Sequence, residues 1–321
     1  MKFGALIITL LLSACSLRTE IPTEFPTPPP PPSATPLPKL ELKRDAELEK
    51  QFAEIAKAAK GKVGVAAVVL ETAEAALLNA GDHYPMQSVY KLPIAMAMIE
   101  QVRLDQHALD EQIGVPKEDF VRQGQASPLR DKNPNGGEFT IRELIRLALV
   151  ESDGTASDVL LRVLGGPVEV QRYLSQIGID DMKVVNTEKE LGENWDTQYQ
   201  NWATPLSAVE VLRYFEAKRR GDNESASEEY EVLNQFLKDV VTGPNRLKGM
   251  LPKGTSVAHK TGTGGTKAGI TGATNDIGII DLPNGKHLAV AVFVSDSPAD
   301  EKTRESVIAR IAKAAWDRWS K

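Results

Sequence analysis

Ser88 and Lys91 stand three residues apart in Met86-Gln87-Ser88-Val89-Tyr90-Lys91, immediately before the apolar run Leu92 to Ile99. That run predicts a helix with Ser88 at its start and its first amides pointing toward the hydroxyl. The spacing puts both side chains on one face, where an amine can take the hydroxyl proton and the helix end can stabilise negative charge on oxygen. Without such a neighbour a serine hydroxyl is a poor nucleophile at neutral pH. Roughly one S-x-x-K match arises by chance in a chain of this length, so the pair alone reads as an N-cap serine beside a solvated lysine. Two further elements follow in a fixed order, Ser152-Asp153-Gly154 and then Lys260-Thr261-Gly262, which runs on into Thr263-Gly264-Gly265. Taken singly these are a turn and a strand that ends in a flexible loop.

The elements that must hold these residues are legible in the periodicity. Ala46 to Ala59 places Leu48, Phe52, Ile55, Ala56 and Ala59 on one helical face, and Val63 to Leu70 follows as a β-branched strand. Near the other end three strand-like runs stand close together: Ser256 to Thr263, Asp276 to Leu282 and His287 to Ser295. The last two are joined by Pro283-Asn284-Gly285-Lys286, a hairpin signal. A closing helix is predicted over Glu301 to Trp319, with Val307, Ile308, Ile311, Ala315 and Trp316 on its apolar side. Between the two sets of strands lies a largely helical middle, from Ser88 to about Phe236, with Pro93 expected in the first two turns of its first helix. The fold class expected is α+β: an antiparallel sheet of about five strands formed by both chain ends, flanked by helices, with an inserted all-helical lobe.

The ordered set resembles the S-x-x-K, S-D-N and K-T-G constellation of serine β-lactamases and penicillin-binding proteins, and the fold implied is serine β-lactamase/transpeptidase-like. In that reading Ser152 relays a proton toward the leaving nitrogen, Lys260 supplies fixed positive charge against a substrate carboxylate, and Gly262 lets substrate lie close to the strand. The backbone N–H groups of Ser88 and Thr263 form the oxyanion hole, and Thr261, Gly262 and Thr263 bind substrate. Over residues 42 to 321 the chain resembles a class A β-lactamase. What sets that class apart from D-alanyl-D-alanine peptidases is a glutamate in the pattern E-x-x-L-N, which activates the water that hydrolyses the acyl-enzyme. Here the segment is Glu188-Lys189-Glu190-Leu191-Gly192. The catalytic set implied is therefore Ser88, Lys91, Ser152, Glu188 and Lys260, with no cofactor. The segments 86–91, 198–202 and 259–263 are closer to the extended-spectrum PER branch. Departures are Gly154 and Gly192, each in place of Asn, and Asn186 and Asn201 in place of the Arg–Asp pair that usually pins the loop, which implies a loop built differently. The family's carboxylate-binding arginine has no counterpart at Thr274 to Gly278, and Arg246 is the substitute expected. A penicillin-binding peptidase or a non-hydrolysing β-lactam sensor would share Ser88, Lys91, Ser152 and Lys260 but has no reason to keep Glu188.

Composition narrows the alternatives. The 321 residues, 41% hydrophobic and 26% charged, can bury a core, and 38 Lys plus Arg against 44 Asp plus Glu gives a net charge of −6, the wrong sign for a nucleic-acid partner. One cysteine and four scattered histidines imply neither a disulfide framework nor a metal. Residues 1–14 have the layout of a signal peptide, and Leu12-Ser13-Ala14-Cys15 resembles the bacterial lipobox, which implies lipidation of Cys15. Residues 15–41 hold Pro22, Pro26, Pro28 to Pro32, Pro36 and Pro38 and read as a semi-rigid tether. The protein expected is an exported, membrane-anchored lipoprotein on the periplasmic side, monomeric, taking β-lactam small molecules. Ser16 points to the outer membrane if the source is Gram-negative.

Overall fold

Lys62–Val69 (β1) is a nearly unbroken Val and Ala run, buried at every position after the first. Such a run suits a strand covered on both faces. Val65, Ala67 and Val69 face one core and Ala66 and Val68 the other. In the computed structural model, which describes residues 35–221 and 227–321, four further long strands complete the sheet: Glu74–Leu78 (β2), Val257–Thr263 (β3), Ile270–Asp281 (β4) and His287–Ser297 (β5). Their order is β2-β1-β5-β4-β3, each pair antiparallel, and the two-residue strands Lys43–Arg44 and Thr266–Lys267 are added at the margins. The alternation repeats in β5, where Val290, Val292 and Val294 join one core and Ala289, Ala291 and Phe293 the other.

On one face lie the terminal helices Ala46–Ala56 and Glu301–Trp319, and the second core leads into the helical lobe. At the centre of that lobe is Lys91–Arg103, buried without interruption from Lys91 to Ile99. A helix apolar on every side belongs inside. Pro93, its third residue, costs little there because the first turn has free N–H groups anyway.

Three observations depart from the sequence reading. Glu74–Leu78 has a helix-forming composition and was not anticipated as a strand; pairing with β1 decides its conformation. Strand β4 begins at Ile270, earlier than its β-branched run suggests. The last residues of the expected tether also rest on the body: Leu37 and Leu40 pack against the core, and Arg213 Nη2 donates to Pro38 O at 3.0 Å. The signal segment, Cys15 and the proline run before residue 35 lie outside the described residues. Among those described, no helix is long and apolar enough to cross a membrane.

Candidate active site

Ser88 sits in a 3₁₀ turn, Gln87–Tyr90, that feeds directly into the buried helix at Lys91. Strand β4 fixes this turn from behind: Asn275 Nδ2 donates to Pro85 O at 2.8 Å and to Met86 O at 3.1 Å. Gln87 adopts φ +48° and Ser152 φ +58°, left-handed values that non-glycine residues adopt only at a cost. Both therefore mark places where packing dictates backbone. For Ser152 the constraint is its neighbour. Asp153 is fully buried, caps the helix Gly154–Leu164 through Ala156 N at 2.8 Å, and also accepts from Leu129 N at 2.6 Å and Ser127 Oγ at 3.0 Å.

These anchors open a cleft of about 510 Å³ lined by Ser88, Ser152, Glu188, Thr261 and Thr263, together with Gln125, Gly192 and Trp195. The two ammonium groups lie beneath its floor, both fully buried. Lys91 Nζ donates to Ser152 O at 2.7 Å and stands 3.4 Å from Glu188 Oε2. Lys260 Nζ donates to Ser152 Oγ at 3.0 Å and to Thr261 O at 3.1 Å. Burial, and then the neighbouring charge of Lys91, hold the Lys260 ammonium well below the usual lysine range. The fixed charge expected of Lys260 is thus a charge that the free site disfavours.

Glu188 opens a single helical turn, Glu188–Leu191, held at its N-terminus by a Thr187 and Glu190 capping box. Asp158 accepts from Glu188 N at 2.7 Å and Lys189 N at 3.0 Å. Burial pushes the carboxyl of Asp158 up to about 7, against the pull of those two amides and with help from the charge of Glu188. The Tyr90 hydroxyl donates to Glu188 Oε2 at 2.7 Å. Burial and the carboxylates of Glu188 and Asp158 hold that phenol well above its usual range, so it stays a donor. The loop is closed at its neck by Asn201, which accepts from Val185 N at 2.8 Å and Asn186 N at 2.9 Å and donates to Asn186 O at 2.9 Å. The side chain of Asn186 turns away to Gln200 Oε1 at 2.9 Å. The neck of the loop is therefore pinned by one amide reading backbone, at the positions where the family usually has an ion pair.

A family model described as "Beta-lactamase enzyme family" matches residues 47–319. The chain belongs to the β-lactamase enzyme family. It is 40% identical over 272 residues to the extended-spectrum β-lactamase PER-1 of Pseudomonas aeruginosa, covering 84% of this chain and 86% of that one. With β-lactamase VEB-1 of the same organism the identity is 35% over 263 residues, covering 82% and 87%. The crystal structure of a β-lactamase from Chitinophaga pinensis superposes with a TM-score of 0.81 at 40% identity, over 85% of this chain and 99% of that one.

Two assignments need a different physical account in this β-lactamase. Gly262 was expected to leave room for substrate, but it does not line the cleft: a Cβ there would fall on the carbonyl oxygen of Met86. Its missing side chain lets β3 lie directly against the Ser88 turn. Arg246 is also absent from the cleft wall. Its Nη2 donates to Thr263 Oγ1 at 2.8 Å, Nη1 to Gly262 O at 3.2 Å and Asn275 O at 3.0 Å, and Nε to Glu305 Oε1 at 3.1 Å. Its contact with the cleft wall is through Thr263, whose hydroxyl, accepting from Arg246, keeps its own proton to donate. Sequence reasoning missed Tyr90, Gln125, Asp158 and Asn275. Tyr90 alone carried a signal, a phenol inside the S-x-x-K segment.

Proposed function

We propose that this class A β-lactamase hydrolyses β-lactam antibiotics through a serine acyl-enzyme and so confers resistance, with the following division of labour. Ser88 attacks the lactam carbonyl as Lys91, or water held by Glu188, takes its proton. The oxyanion lies between the N–H groups of Ser88 and Thr263, donors whose loss costs ~3 kcal/mol of transition-state stabilisation each. Ser152 relays the proton taken from Ser88 to the departing nitrogen; water activated by Glu188 then cleaves the ester, and the proton it gives up returns to the Ser88 oxygen. Thr261 and Thr263 hold the substrate carboxylate, with Arg246 orienting the Thr263 hydroxyl. An arriving carboxylate also favours the proton on Lys260, against the burial that disfavours its charge.

The observation that carries this division is the position of Lys91, between the Ser152 carbonyl and the Glu188 carboxylate at the foot of the cleft that Ser88 lines. With a chromogenic cephalosporin the protein turns over continuously. Glu188→Ala instead stops after one stoichiometric burst, its acyl-enzyme visible by intact mass and decaying about 10³-fold more slowly. A wild-type protein that itself stopped after one burst would be a peptidase or sensor. Normal deacylation by the variant would remove the role from Glu188.

We also propose that the protein is exported and anchored as a lipoprotein on the periplasmic side. The support is Leu12-Ser13-Ala14-Cys15 and the position there of the sole cysteine. Radiolabelled palmitate is expected to enter the wild-type chain and not Cys15→Ser; equal labelling of both would sink the anchor.

A further inference from the structure

The turn that carries Glu188 is four residues long, too short to hold itself, since nucleating a helix costs more than one turn returns. Its N-terminal side is accounted for by Asp158 and the capping box. On its C-terminal side residue 192 brings no side chain of its own, because it is glycine. That glycine is not needed for conformation: Gly192 has φ −79°, ordinary right-handed backbone that any residue adopts. What it leaves is space. A Cβ on residue 192 would come 2.7 Å from Cδ and Nε2 of Gln125 and 2.8 Å from its Oε1. The carboxamide of Gln125 fills the volume that a side chain at 192 would enter.

The amide is also oriented. Its Oε1 accepts from Arg122 N at 3.1 Å, which turns Nε2 toward the glutamate turn, where it donates to Glu188 O. Arg122 adds Nη1 to Gly192 O at 3.3 Å and Nη2 to Glu193 Oε1 at 3.2 Å. Gln125 lines the cleft beside Glu188, Leu191 and Gly192. The opposite wall is equally close, for a Cβ on Gly154 would stand 2.7 Å from Glu188 Cγ. Glu188 is thus held between a glycine that makes room for its own stem and a glutamine that grips its carbonyl.

We propose that Gln125 is a positioning residue for deacylation: its carboxamide, lent from a different loop, replaces the side chain that Gly192 lacks and fixes the backbone from which Glu188 acts. The proposal rests on the reading of Glu188 as the deacylating base. Gln125 in this rotamer and a side chain at position 192 compete for one volume, so a residue larger than glycine there displaces the carboxamide from Glu188 O.

Pre-steady-state kinetics of the full chain with a chromogenic cephalosporin separate the two half-reactions. In Gln125→Ala deacylation is expected to fall about tenfold while acylation stays within about twofold of wild type. Gly192→Asn alone also slows deacylation, because its side chain meets Gln125, and the double variant Gln125→Ala/Gly192→Asn recovers most of the lost rate. Deacylation at the wild-type rate in Gln125→Ala, equal losses in both half-reactions with a lowered Tm, or a double variant no better than either single one would each overturn the proposal. Glu188→Ala, run alongside, separates the two readings: if it deacylates normally the glutamate assignment fails, whereas slow Glu188→Ala beside a normal Gln125→Ala removes only Gln125.

Discussion

The two halves of the cleft are built by different means. The acylating half is a packed unit: the Ser88 turn continues into a helix buried from Lys91 to Ile99, Asn275 ties the turn to β4, and β3 lies so close that residue 262 has room for no side chain. The deacylating half is a partly exposed loop held by side-chain amides and carboxylates acting on its backbone, Asn201 at the neck, Asp158 and Gln125 at the turn. Dense packing is hard to alter without loss, whereas polar pins can be exchanged one for another. That contrast explains why the loop departs from the E-x-x-L-N pattern and from the usual ion pair while Ser88, Lys91 and Lys260 stand where the motifs put them; Gly154, the departure in the S-D-N element, makes room for the stem of Glu188.

The contrast can be broken most severely in the packed half. Gly262→Ala forces β3 away from the Met86 carbonyl and with it the wall of the oxyanion hole. Acylation is expected to fall about 10²-fold, the scale of an ångström's misplacement, with about 1–3 kcal/mol of stability lost to overpacking. Stopped-flow acylation and thermal melts check both, and a variant that acylates normally would show that the two elements are not locked together. In the loop the effect should be smaller and confined to the second half-reaction. Asn201→Ala removes the acceptor of two amides and is expected to slow deacylation about tenfold, equivalent to ~1.4 kcal/mol in the barrier, leaving the burst phase near wild type.

The smallest effect is electrostatic. The carboxyl of Asp158, raised from 3.8 to about 7 chiefly by burial, holds its proton more tightly in the fold than in the unfolded chain. Its contribution to stability is therefore complete below about pH 4 and is lost as pH rises through about 7. Asp158→Asn should lower Tm where an amide acceptor is lost, yet flatten the decline in Tm between pH 5 and 8 relative to wild type. An unchanged slope would mean that Asp158 titrates without strain.

What was legible in the sequence follows the same division. The closing helix falls at Glu301–Trp319 as its apolar spacing predicts, and β1, β3 and β5 lie where β-branched runs stand. The acylating residues sit in short motifs whose residue types and spacing could be read directly, although packing decides the backbone at Gln87 and Ser152. The pins of the loop could not. Gln125 and Glu188 are 63 positions apart, Asp158 and Glu188 are 30, and each pair meets through a main-chain atom, which imposes no residue type on its partner. The true reason for Gly262 was hidden likewise, since it depends on the carbonyl of a residue far away in the chain.

Strand Lys62–Val69 pairs on one side with Glu74–Leu78, close in the chain, and on the other with the distant His287–Ser297. A chain leaving the ribosome therefore carries its nucleophile long before it carries the surface against which that nucleophile is set. Closing so long a loop is entropically slow, and the hydroxyl gains its reactive setting only after His287–Ser297 has been made, so fragments that stop before that strand should be inert whatever motifs they contain.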